Sequence, residues 1–130
     1  MLPNKNMKKI IFLLSLSTLL FSCYENERNC TDFTTGKFRF ESTIGGKKMV
    51  TEFERRDDIE IETFQGKTDT ATVRWVSDCE YVLQKKNPKN MQDRKAIGMK
   101  ILTTSKNSYT FEYGVVGSDQ KQRGTATKID

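Results

Sequence analysis

The chain contains no histidine. That removes the commonest general base and the commonest metal ligand available at neutral pH. It has no Gly-x-Ser-x-Gly nucleophile turn, no phosphate-binding loop and no dinucleotide fingerprint. A non-enzymatic protein, without metal or cofactor, is therefore expected. Cysteine is scarce, with three in the chain and no Cys-x-x-Cys pair, so redox catalysis has no support. Long apolar runs are also missing. The longest, residues 10–20, is about eleven residues against the roughly 20 that a membrane-crossing helix needs. No transmembrane helix is expected in the mature chain.

That apolar run has a different use. Lys5, Lys8 and Lys9 precede it, and the small residue Ser22 follows it. A positive start, a short apolar run and a small residue before cleavage make a secretory signal peptide, here residues 1–22. Met7 could equally serve as the start, since Lys8 and Lys9 already supply the charge. Leu20-Phe21-Ser22-Cys23 resembles the lipobox of bacterial lipoproteins. There a leucine stands three before the cysteine and a small residue one before it. The resemblance covers the first 23 residues. It implies that Cys23 is acylated, palmitate being one such chain, and becomes the first mature residue. It further implies an exported protein, lipid-anchored at a bacterial outer membrane or cell surface. One acyl chain anchors marginally and two or more hold firmly. Tyr24 follows the cysteine where an inner-membrane retention signal would place an aspartate, and Glu25 and Glu27 leave the periplasmic and the surface leaflet both open.

Without the leader about 108 residues remain, the size of one domain. The leader holds three of the 22 basic residues and none of the 17 acidic ones, so the mature net charge is about +2 rather than +5. Export and near-neutral charge argue against nucleic acid as a partner. With Cys23 acylated, Cys30 and Cys79 remain as an even pair, which in an exported chain suggests a disulfide; two buried thiols are the alternative.

Residues 23–35 are polar and read as the lipidated N-terminus and a tether, with Cys30 pinning its end to residues 36–130. From Gly36 onward, apolar and polar residues alternate in short runs. Phe38 and Phe40 share one face of the first run, and Gly45-Gly46 signals a two-residue hairpin. Met49, Thr51 and Phe53 follow on one face, and residues 55–58 read as a charged turn. Ile59 and Ile61 read as interior, with Glu60 and Glu62 on the solvent face. Val73 and Trp75, then Tyr81 and Leu83, then Met99 and Ile101, then Tyr109, Phe111 and Tyr113 complete the interior set. Residues 84–95, with Asn87-Pro88, form the one long break, and a last run ends near Ile129. About eight short strands at regular spacing predict an all-β, antiparallel meander. It would close into a small barrel; a two-sheet sandwich is the alternative.

Two spots resemble the lipocalin arrangement, in which a Gly-x-Trp opens the first strand and an arginine near the last strand packs over that aromatic. Here Gly36-Lys37-Phe38 opens the first strand and Arg123 the last, which implies a lipocalin-like barrel with Arg123 over Phe38. The run Trp75-Val76-Ser77-Asp78-Cys79-Glu80-Tyr81 is also similar to one in short uncharacterised lipoproteins, some of which carry a DNA topoisomerase name. Export and the lack of a nucleotide motif argue against that activity here.

The remaining charged clusters read as surface. Glu52, Glu54, Asp57, Asp58, Glu60 and Glu62 offer oxygens of the kind calcium takes, but arginines interrupt them. Lys85, Lys86, Lys89, Arg94 and Lys95 suit a solvated loop or an anionic partner. Two functions follow. The first is an anchored envelope lipoprotein presenting its barrel to a partner protein. The second is a lipocalin-like carrier of a small apolar ligand held by some of Phe38, Trp75, Tyr81, Tyr109, Phe111, Tyr113 and Arg123. An internal cavity of about 300 Å³ or more would favour the carrier.

Overall fold

The computed structural model describes residues 28–130; the leader, Cys23 and the stretch as far as residue 27 lie outside the described residues. Alternating sequence produces eight strands: β1 (Gly36–Ile44), β2 (Lys47–Arg56), β3 (Ile59–Phe64), β4 (Lys67–Ser77), β5 (Glu80–Lys85), β6 (Ile97–Thr104), β7 (Ser108–Val115) and β8 (Gln122–Lys128). Each pairs antiparallel with its neighbour, and β8 returns to β1, so the meander closes as a barrel. The seam is short, with Phe38, Arg39 and Phe40 opposite Lys128, Thr127 and Ala126.

Tight turns set which residues point inward. Gly45 and Gly46 both take positive φ, the conformation a two-residue hairpin requires. Asp57, at φ 52°, makes an equally short turn between β2 and β3. That turn places Arg55 opposite Glu60 and Phe53 opposite Glu62. Directly opposed residues share a face, so Glu60 and Glu62 follow Phe53 to the inside. This corrects the expectation that Glu60 faces solvent while Ile59 and Ile61 fill the core; Glu62, nearer the open end, is exposed as expected. Glu60 is buried, and Ile59 and Ile61 are only half-buried.

Inside, large side chains from β1, β6 and β7 meet small ones on β8. A Cβ on Gly124 would lie 3.0 Å from Phe111 Cζ and closer still to the Phe40 ring. Those two rings pack edge to face with centroids 5.4 Å apart, in space that only a glycine leaves.

A short 3₁₀ turn, Cys30–Phe33, crosses the barrel end formed by the start of β1 and the end of β2. Residues that read as the end of a tether thus form a plug whose Cys30 and Phe33 are buried. The expected disulfide is present: Cys30 joins Cys79 at the β4–β5 turn, with Cα atoms 5.2 Å apart. Arg28 Nη1 donates to Ile101 O at 3.0 Å, and Lys128 Nζ donates to Asp32 O at 3.1 Å, fastening both sides of the plug.

Candidate functional site

The barrel interior divides in two along its axis. The plugged half is built on Arg55, which is fully buried. A buried charge must be compensated, and here the compensation comes from three strands and the plug. Arg55 Nη1 donates to Phe33 O at 2.6 Å, and Nη2 donates to Tyr81 Oη at 2.6 Å and to Tyr109 Oη at 3.0 Å. The guanidinium also lies 4.5 Å from the Tyr81 ring centroid, 5.0 Å from Phe38, 5.5 Å from Phe53 and 5.7 Å from Trp75. Cations are attracted to aromatic faces at these separations. Burial opposes the Arg55 charge, but the oxygens of Tyr81, Tyr109 and Glu60 turned toward it favour the charged form more, and the group stays protonated. Burial raises Tyr81 and Tyr109 in turn, so both are neutral phenols.

The other half is open. It holds a cavity of about 250 Å³ lined by Phe40, Phe53, Leu83, Ile97, Met99, Phe111 and Tyr113, with Thr51, Glu60 and Glu62 as the polar members. Glu60 is only 6% exposed, yet its Oε2 has no hydrogen-bond partner. Its other oxygen lies 3.6 Å from Arg55 Nη2, which already donates to two tyrosines. The carboxylate is thus near a cation without being hydrogen-bonded by it. Burial pushes Glu60 up to about 7, more than the Arg55 charge pulls it down. Glu62 stands at the mouth. Partial burial raises it as well, with Lys85 opposing and Asp69 adding to the rise. Lys85 is shared with Asp69 at 3.9 Å and Asp93 at 3.3 Å, so its charge is divided among carboxylates.

No family model, curated protein or solved structure matches this chain. What can be said of the site therefore comes from its geometry.

The sequence-predicted residues fall in three places. Phe38, Trp75, Tyr81 and Tyr109 surround Arg55 in the plugged half, Trp75 packing tilted against Tyr81 at 4.5 Å between centroids. Phe111 and Tyr113 line the open cavity. Arg123 lies on the outer face, largely exposed and 3.3 Å from Glu112 Oε2. Arg123 over Phe38 is thus corrected: β8 turns Gly124 and Ala126 inward, and the arginine over Phe38 is Arg55 from β2. The acidic cluster is split between faces, with Glu52 paired outside to Arg39 at 2.9 Å and Glu60 inside. Among the described residues no three carboxylates or thiols converge to hold a metal ion. Arg55 and Glu60 were the residues that pattern reading missed. The signal for both was parity: Arg55 stands two after Phe53, and Glu60 faces it across a two-residue turn.

Proposed function

We propose that this chain is a lipid-anchored envelope protein whose barrel carries a small ligand in its open half. The cavity supports this reading: an apolar wall, a few polar groups converging on one side and an open mouth are the makings of a ligand site. Its 250 Å³ is below the roughly 300 Å³ at which drug-sized ligands begin, so the cargo is smaller than a lipid or a retinoid-like molecule. An apolar cavity of about 150 Å³ takes benzene, so one ring with a short substituent fits here. The plugged half would serve as the fixed floor.

The lipobox places the anchor on Cys23, about seven residues before Cys30, a reach of at most roughly 25 Å when extended. Because Cys30 sits in the plugged end, such an anchor would hold that end toward the bilayer and turn the mouth away from it. The reading of the barrel as a surface for a partner protein rests on Val76 and Val116, both more than half exposed, beside an outer groove lined by Val82 and Gly98. No observation names that partner, and the cavity carries the stronger case.

The test is a nuclear magnetic resonance titration of the oxidised mature chain, starting at residue 23 with Cys23→Ser, against 2-phenylethanol. Saturable shifts are expected at Phe40, Met99 and Tyr113, and Leu83→Trp, which fills the cavity, should abolish them. Shifts that never saturate, or that survive the filling, would sink the carrier reading. Fatty-acid labelling of the full precursor tests the anchor separately: Cys23→Ala should lose all label.

A further inference from the structure

Glu60 poses a question that the barrel itself does not answer. A nearly fully buried carboxylate ordinarily accepts several hydrogen bonds, and leaving one oxygen bare is costly. The neighbouring cation does not repair this: Nη2, 3.6 Å from Oε1, is spent on Tyr81 and Tyr109, and Nη1 serves Phe33 O, while Nε makes no hydrogen bond to either carboxyl oxygen. The bare oxygen belongs to a side chain that lines the cavity. A donor entering through the mouth would complete it.

We propose that the cavity takes a small organic amine, whose ammonium donates to Glu60 Oε2 while its apolar body packs against Phe40, Phe53, Met99 and Phe111. This rests on the reading of the open half as a ligand site, and adds the chemical class of the ligand. Three observations select a cation over a neutral or anionic molecule. Both carboxyl groups that line the cavity, Glu60 and Glu62, can carry negative charge, and no basic side chain lines it. The nearest base at the mouth, Lys85, is already divided between Asp69 and Asp93. Four rings, Phe40, Phe53, Phe111 and Tyr113, line the cavity, and aromatic faces attract ammonium groups more strongly when water is excluded. An anion would meet two carboxylates, and Arg55, whose Nε has no partner, is not among the residues that line the cavity.

The proton balance follows from the same geometry. The charged and titratable groups facing Glu60 are Arg55 from β2, Tyr81 from β5, Tyr109 from β7 and Glu62 on its own strand; β1 and β6 contribute Phe40, Ile97 and Met99 to the cavity. Empty, the carboxyl holds its proton up to about pH 7. An ammonium arriving at Oε2 favours the ionised form, so Glu60 gives up that proton to solvent on binding. Affinity for the amine should rise with pH up to about 7 and level off until the amine itself deprotonates.

The experiment compares three probes of one shape on the oxidised mature chain: 2-phenylethylamine, 2-phenylethanol and 3-phenylpropanoate. By calorimetry the amine should bind roughly tenfold or more tighter than the alcohol, the increment of one charge-assisted hydrogen bond, and the acid should not bind measurably. Glu60→Gln should bring the amine to within about threefold of the alcohol when both are measured on that variant. Titrations at pH 6 in two buffers of different ionisation enthalpy should reveal proton release for the amine and none for the alcohol, a readout that needs no variant. Equal binding of amine and alcohol, or an amine preference that survives Glu60→Gln, would overturn the inference while leaving the carrier reading intact. If no probe binds, both fall. If the bare oxygen is met by an ordered water alone, the amine gains nothing over the alcohol, which is the first of those refuting results.

Discussion

The two halves of the barrel are made by the same strands and obey opposite rules. In the plugged half the large polar side chains are heavily partnered, Arg55 Nε alone being left bare. Arg55 donates to a carbonyl and two hydroxyls, and four rings surround it. In the open half, one step across the β2–β3 ladder, Glu60 keeps an oxygen bare above an apolar space. Polar burial that is satisfied rigidifies; polar burial left incomplete calls for a partner. The contrast teaches how stability and the proposed binding divide along the barrel axis, with the Arg55–Glu60 pair as the boundary between them.

The largest expected effect comes from breaking the plugged half. Arg55→Ala should cost about 5 kcal/mol, because Phe33 O, Tyr81, Tyr109 and Glu60 all lose their cation together. Denaturant unfolding checks this, and a loss below about 1 kcal/mol would mean that Arg55 is dispensable. Removing the cross-link by a paired Cys30→Ala, Cys79→Ala change should cost about 4 kcal/mol, from the loop that the disulfide closes in the unfolded chain. Thermal unfolding with and without reductant should reproduce that difference in the native chain and show none in the pair variant.

The open half should respond to pH. Glu60 holds its proton in the fold up to about pH 7, whereas in the unfolded chain it ionises near 4.5. Its contribution to stability is therefore full below pH 4.5 and is lost as pH rises through about 7, by up to about 3 kcal/mol. Subtracting the stability curve of Glu60→Gln from that of the native chain isolates this slope; a difference that does not vary with pH would refute it. The smallest effect belongs to Gly124→Val. It pushes side-chain atoms into the Phe40 and Phe111 rings and should cost about 2 kcal/mol by overpacking. Because those rings line the cavity, the same variant should weaken 2-phenylethanol more than it weakens the fold, which sharpens the division between the halves.

Much of the architecture was readable from alternation. Phe38 with Phe40, Met99 with Ile101 and Tyr109 with Phe111 sit on the inner face as their period-2 pattern requires, and the even pair Cys30 and Cys79 is joined. The candidate site was less legible, for two physical reasons. Strand β3 carries apolar residues on its outer face and acids on its inner face, so hydrophobicity selects the wrong side. Only the short turn at Asp57, which fixes register, reveals the right one. Arg55 was masked by its surroundings, since Glu54, Arg56, Asp57 and Asp58 make it read as one charge of a surface turn. A buried arginine is paid for by hydroxyls and a carbonyl distant in sequence, and no local pattern announces them.

The position of the cross-link also decides how the barrel bears a mechanical load. Tension on the N-terminal approach would otherwise pass through residues 34–35 into β1 and pull on the β1–β8 seam, which is held at three paired positions. Cys30–Cys79 diverts that tension to the β4–β5 turn, on the far side of the closed sheet, where β4 and β5 pair at six. A protein tugged from its N-terminus is thus held by the β4–β5 hairpin, and the shorter seam that closes the barrel is spared.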